Sequence, residues 1–150
     1  MPAFVTFGRL LFAVLFIVSG ASKLFDLPGT ADLIAGKVVI PAALTAYTSQ
    51  LESLTGLEMK QLLAIAGGAL ELICGLMIAL NFGARFFSLL LILFVIAVTV
   101  YFHDFWNQTG VEAKNNMIHA LKNLSIVGAL FIVAGIGRAS RTADAAYTDV

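Results

Sequence analysis

From Phe4 to Phe25 the chain runs FVTFGRLLFAVLFIVSGASKLF, with Arg9 and Lys23 as its only charged side chains. A helix rises about 1.5 Å per residue, so this run is long enough to cross roughly 30 Å of hydrocarbon. Three further stretches have the same character, at about 61–80, 83–103 and 117–137. In a bilayer every backbone polar group must be satisfied internally, which leaves helices as the structure for such runs. The expected fold is therefore all-α: one domain, 1–150, forming an integral membrane four-helix bundle.

The composition agrees. The chain is 60% apolar and 12% charged, where soluble domains carry about a quarter charged residues, and its mean hydropathy is +0.97. The first apolar run exceeds the h-region of a signal peptide and is expected to stay as a span. It stops at Asp26, Leu27, Pro28 and Gly29, a turn signal. Residues 26–60 form a loop, expected outside, that is half apolar and broken by Pro28, Gly29, Gly36, Pro41 and Gly56; short amphipathic helices at the interface fit this pattern. Asn81, Phe82 and Gly83 allow only a tight link, so the second and third spans must be antiparallel neighbours. Gly135, Gly137 and Arg138 read as a helix stop before a polar tail, 138–150.

Several functions are excluded. The formal net charge is zero, so the basic footprint of a nucleic-acid binder is missing. Cys74 is the only cysteine; thiol–disulfide exchange of the CxxC kind is ruled out, and Cys74 reads as a small inert hydrophobe inside a helix. Arg85, Arg138 and Arg141, with Arg9 nearby, lie on the side of the termini, opposite Lys37, Lys60 and Lys114. That bias favours cytoplasmic termini.

Charged residues within spans are costly and usually face the bundle interior. Arg9, Ala13, Phe16, Gly20 and Lys23 step by three and four residues along one face of the first span. Ala64, Gly68, Glu71, Gly75 and Ala79 do the same in the second, where small residues mark close packing in lipid. The third span aligns Arg85, Ser88, Ile92, Thr99 and His103, and the fourth gathers His119, Lys122, Asn123 and Ser125 near its start. By depth, Lys23, His103, Trp106, Lys122 and Asn123 form a candidate ligand-binding group toward the outer side. Arg9, Glu71 and Arg85 form a buried charge support, with Glu71 expected to pair with Arg9 or Lys122.

Such a group of donors beside apolar walls suits quinone carbonyls or a small anion such as a sulfur oxyanion. An imidazole titrates in the physiological range, which makes His103 a candidate proton donor. His103 and His119 could in principle ligate haem or a metal from two sides, but two histidines are too few, and neither group is expected. A structural role for all these residues, as ion pairs ordering four helices, competes with the pocket.

The string YFHDFWNQTGVEAKNNMIHALKNLSIVGALFIVAGIG, with Arg9, the Gly20, Lys23 and Leu24 pattern, Glu71 and Gly75, and Arg85, resembles the DoxX family of small four-helix membrane proteins. His103, Phe105, Trp106, Lys122 and Asn123 carry the most specific part of that resemblance. It implies a multi-pass protein of the bacterial inner membrane, with some relatives linked to quinone-dependent thiosulfate oxidation or to oxidative-stress complexes. A quinone as ligand and a protein partner in the membrane are implied in the same way. The expected function is thus a quinone-linked or redox-associated subunit, not a stand-alone enzyme. The alternative is a non-enzymatic anchor or assembly subunit. A small transporter ranks below both, because neither an internal repeat nor a Pro-interrupted span is present.

Overall fold

The computed structural model describes the backbone of residues 3–147 and the side chains of residues 3–136. Among these, six α-helices follow one another: α1 (Ala3–Phe25), α2 (Leu27–Ala35), α3 (Thr45–Thr55), α4 (Met59–Ala79), α5 (Ala84–Phe102) and α6 (Gly110–Tyr147). Two 3₁₀ turns, Ala42–Leu44 and Phe105–Asn107, complete the regular structure. The four long helices, α1, α4, α5 and α6, each have the length and apolarity to cross a membrane.

Asp26 ends α1 and begins α2 at once, because its carboxylate accepts a hydrogen bond from the Gly29 backbone N–H at 3.2 Å while Pro28 occupies the first turn, where its missing N–H costs nothing. The 26–60 segment therefore opens with a helix and contains a second one, α3. That helix stops at Gly56 in the left-handed conformation, φ +70°, a common helix ending. Glu58 and Gln61 then close a capping box at the start of α4, satisfying two of its otherwise open N–H groups. Asn81 and Gly83, both at φ +57°, make the tight α4–α5 connection, and the two helices pack as antiparallel neighbours.

The last helix differs from the sequence expectation at both ends. It starts at Gly110, ahead of Met117, because Glu112, Ala113 and Lys114 are good helix formers that extend the span with a polar first turn. Its backbone also continues past Gly135 and Gly137; a glycine costs a helix only about 1 kcal/mol relative to alanine, and no proline follows to enforce the stop. Of the polar tail, residues 148–150 and the side chains from 137 onward lie outside the described residues.

The most extensive packing is α1 on α4, followed by α5 on α6. Both faces of the first pair are stripped of side chains at the crossing. A Cβ added to Gly20 would lie 2.5 Å from the Leu72 nitrogen and 2.6 Å from the Gly68 oxygen, distances no packed atoms tolerate. Ala13, Phe16, Cys74, Ile78, Leu91, Ile92, Val95 and Leu130 form the core between the two pairs. Large apolar side chains such as Leu11, Phe86, Leu93 and Phe131 point outward and are more than half exposed, the surface expected of helices whose solvent is lipid.

Candidate functional site

Lys23 stands near the C-terminal end of α1, yet its ammonium reaches back along the helix. It donates to Ser19 Oγ at 2.6 Å and to Glu71 Oε2 at 2.7 Å. Side chains on a helix tilt toward its N-terminus, which carries Lys23 toward the middle of the bundle. Gly20, beside it, keeps α4 close enough for the pairing. Glu71 is buried, with 8% of its side chain exposed, against 32% for Lys23.

This corrects the expected partner of Glu71, which is neither Arg9 nor Lys122. Depth assigned from Cα position alone separated Lys23 from Glu71, whereas the tilt and length of the lysine side chain close that gap. Arg9 is about 21 Å down the same helix from Lys23. There it lines a different cavity, of about 370 Å³, with Phe12, Asn81 and Val133. Lys122 is exposed on α6. Arg85 is exposed as well, so it is no part of a buried charge set: in the first turn of α5 it points away from the packed face of Ala84 and Ser88.

The ion pair borders a cavity of about 160 Å³ at the centre of the bundle. All four long helices contribute to it: Ser19 and Lys23 from α1, Glu71 from α4, Phe94 and Val98 from α5 with His103 at its end, and Asn123 from α6. Of the five residues expected to bind a ligand, Lys23, His103 and Asn123 meet here. Trp106 does not; it is 54% exposed in the 3₁₀ turn, edge-on to Phe105. Lys122 cannot accompany Asn123, because adjacent helical residues are about 100° apart around the axis. Asn123 Nδ2 donates to Thr99 Oγ1 at 2.9 Å, and Thr99 Oγ1 in turn donates to the Val95 carbonyl at 2.7 Å.

His103 is held by a chain of polar groups above the cavity. Gln108 Nε2 donates to Asp104 Oδ1 at 3.1 Å, Asn116 Nδ2 donates to Gln108 Oε1 at 2.6 Å, and Asn116 Oδ1 lies 3.0 Å from His103 Nδ1. A carboxylate can only accept, so Asp104 orients both amides and makes His103 Nδ1 the donor. Nε2 of a neutral His103 then carries the lone pair. Asp104 is also 3.6 Å from Lys37, which ties this chain to the end of α2. The ring of His103 stacks on that of His119, centroids 5.0 Å apart and planes within 14°.

Residues 4–104 match the sequence model of the DoxX family. The chain belongs to the DoxX family. It is also 27% identical to the inner membrane protein YphA of Escherichia coli (strain K12) over 143 residues, covering 95% of this chain and 89% of that protein. No solved structure matches significantly. The family match ends at Asp104, so it covers Arg9, Lys23, Glu71, Arg85 and His103, while Asn123 lies beyond it. With four membrane-crossing helices and this relative, the chain is a multi-pass inner-membrane protein.

Ser19, Asn116 and Gln108 join this cluster in the structure without being expected from the sequence. Ser19 was recoverable, since it lies four residues before Lys23 and so beneath its side chain. Asn116 shares a helical face with Asn123, seven residues on, but only once α6 is known to begin at Gly110. Gln108 carried no signal; the 3₁₀ turn that folds it back over Asp104 is a tertiary outcome.

Proposed function

We propose that this protein is a quinone-binding subunit of a redox-associated membrane complex, with the quinone headgroup held in the central cavity by Lys23, His103 and Asn123. The supporting observation is the Lys23–Glu71 pair on the wall of that cavity. An ammonium has three N–H donors; Ser19 and Glu71 take two, leaving one for a ligand carbonyl. The paired charges cancel, so an anion such as a sulfur oxyanion would lose at Glu71 what it gains at Lys23. A neutral carbonyl meets no such opposition. His103 Nε2 supplies an acceptor for a hydroquinone O–H. Cys74 is buried and alone, so electrons would pass to or from the quinone through a partner protein.

Gentle purification from native membranes, with mass spectrometry of co-eluting proteins and extracted lipophilic compounds, tests this directly. Quinone is expected in the wild-type extract and absent from Lys23→Met, together with a stoichiometric partner in both. Quinone retained by the variant would overturn the site. A partner accompanying a bundle with no quinone in either preparation would instead leave an anchoring subunit.

For orientation we propose cytoplasmic termini, on the excess of arginine (Arg9, Arg85, Arg138, Arg141) at that side. In intact cells of a Cys74→Ala background, an impermeant maleimide is expected to label a cysteine placed at Thr48 and to spare one placed at Phe82. The reverse pattern would invert the topology.

A further inference from the structure

A third cavity, of about 410 Å³, lies between α2, α4 and α5, beside the central one. Its size falls within the roughly 300–1,000 Å³ of small-molecule sites. Its walls are almost entirely apolar, and Lys23 is the only charged residue among them. Lys23, Phe94 and Val98 line both this cavity and the central one, so the two spaces adjoin across these side chains. At the far side Leu33 and Tyr101, 70% and 51% exposed, bring the apolar space to the protein surface. Gly67 leaves its wall bare: a Cβ there would meet only the Phe94 ring, at 3.6 Å.

We infer that the two cavities are one chamber for a single amphiphile, a neutral carbonyl head at Lys23 and a hydrocarbon chain running out between α2, α4 and α5. This rests on the headgroup site proposed above and adds the class of its ligand: a tailed quinone, not a water-soluble one. A phospholipid fits the chamber poorly, because its phosphate would need a cation and Lys23 is already neutralised by Glu71. Two salt bridges hold α2 as one wall of the chamber, Lys60 to Asp32 at 3.4 Å and Lys37 to Asp104 at 3.6 Å. The tail gains little energy from the chamber, since lipid is as apolar as the protein wall. What the chamber provides is a path along which a tailed head can seat.

The full chain in lipid nanodiscs is titrated with two probes, a benzoquinone carrying a decyl chain and the same ring without it. Two variants, Leu63→Phe and Ala97→Phe, narrow the apolar chamber at residues that line it and not the central cavity, and an unchanged thermal midpoint shows that each is folded. Both probes are expected to bind the wild type. Both variants should bind the tailed probe about tenfold more weakly, the scale of a strained methylene or two in a packed site, and the tailless probe as the wild type does. Unchanged binding of the tailed probe would overturn the inference, as would loss of both probes together or a phospholipid co-purifying in the chamber. If neither probe binds the wild type, the headgroup site itself fails and takes the tail with it.

Discussion

Gly20→Val is expected to cost the bundle about 3 kcal/mol or more, beyond the 1–3 kcal/mol usual for overpacking. The reason is what the new side chain would strike. Its Cβ alone would lie 2.5 Å from the Leu72 nitrogen and 2.6 Å from the Gly68 oxygen, backbone atoms of a helix that cannot rotate aside as a side chain can. Relief requires α1 to separate from α4 along their whole contact, the most extensive in the protein. In lipid no hydrophobic effect returns the helices to each other, so packing lost at the crossing is not recovered elsewhere. Gly8→Val on the same helix is the control: nothing lies within 4 Å of its added Cβ, and its effect should stay within about 0.5 kcal/mol. Thermal midpoints of both variants in one detergent decide the matter. Equal midpoints would mean that the α1–α4 crossing does not hold the fold.

How much of this could be read from the sequence depends on the kind of information involved. The helical spans were legible because apolar length is a local property, and the stripe of Gly68, Glu71 and Gly75 on α4 was legible because helical periodicity assigns faces without reference to a partner. The identity of Glu71's partner was not. It depends on the tilt of Lys23 toward the N-terminus of α1 and on the register that Gly20 and Gly68 set between two helices, neither of which appears in a one-dimensional spacing. The same applies to Arg85, whose spacing from Ser88 suggested a shared face but whose place in the first turn of α5 leaves it exposed. Depth alone puts Lys122 and Trp106 in one group with Asn123 and His103, but depth does not say which way a side chain points. Neighbours in a helix or tight turn point in different directions, and only Asn123 and His103 reach the cavity.

Glu71→Leu carries the second large effect, and its interest lies in the comparison with a double variant. Removing one partner of a buried ion pair costs about 3–5 kcal/mol, mostly because the remaining charge is left uncompensated. Lys23 keeps 32% of its side chain exposed, so part of that penalty is screened, and about 2 kcal/mol is the expected loss. Adding Lys23→Met removes the stranded ammonium, and apolar replacements of a buried pair are often neutral or stabilising. The double variant should therefore melt within a few degrees of the wild type while the single variant melts well below it. Restored stability without restored quinone binding would show that the pair is more than a helix clamp, since an apolar clamp serves the fold as well. The structural alternative predicts something different: if the charges exist only to order α1 against α4, the double variant should behave as the wild type in every assay, ligand binding included. A double variant as unstable as Glu71→Leu alone would defeat both accounts, because the loss could then no longer be assigned to an unpaired ammonium.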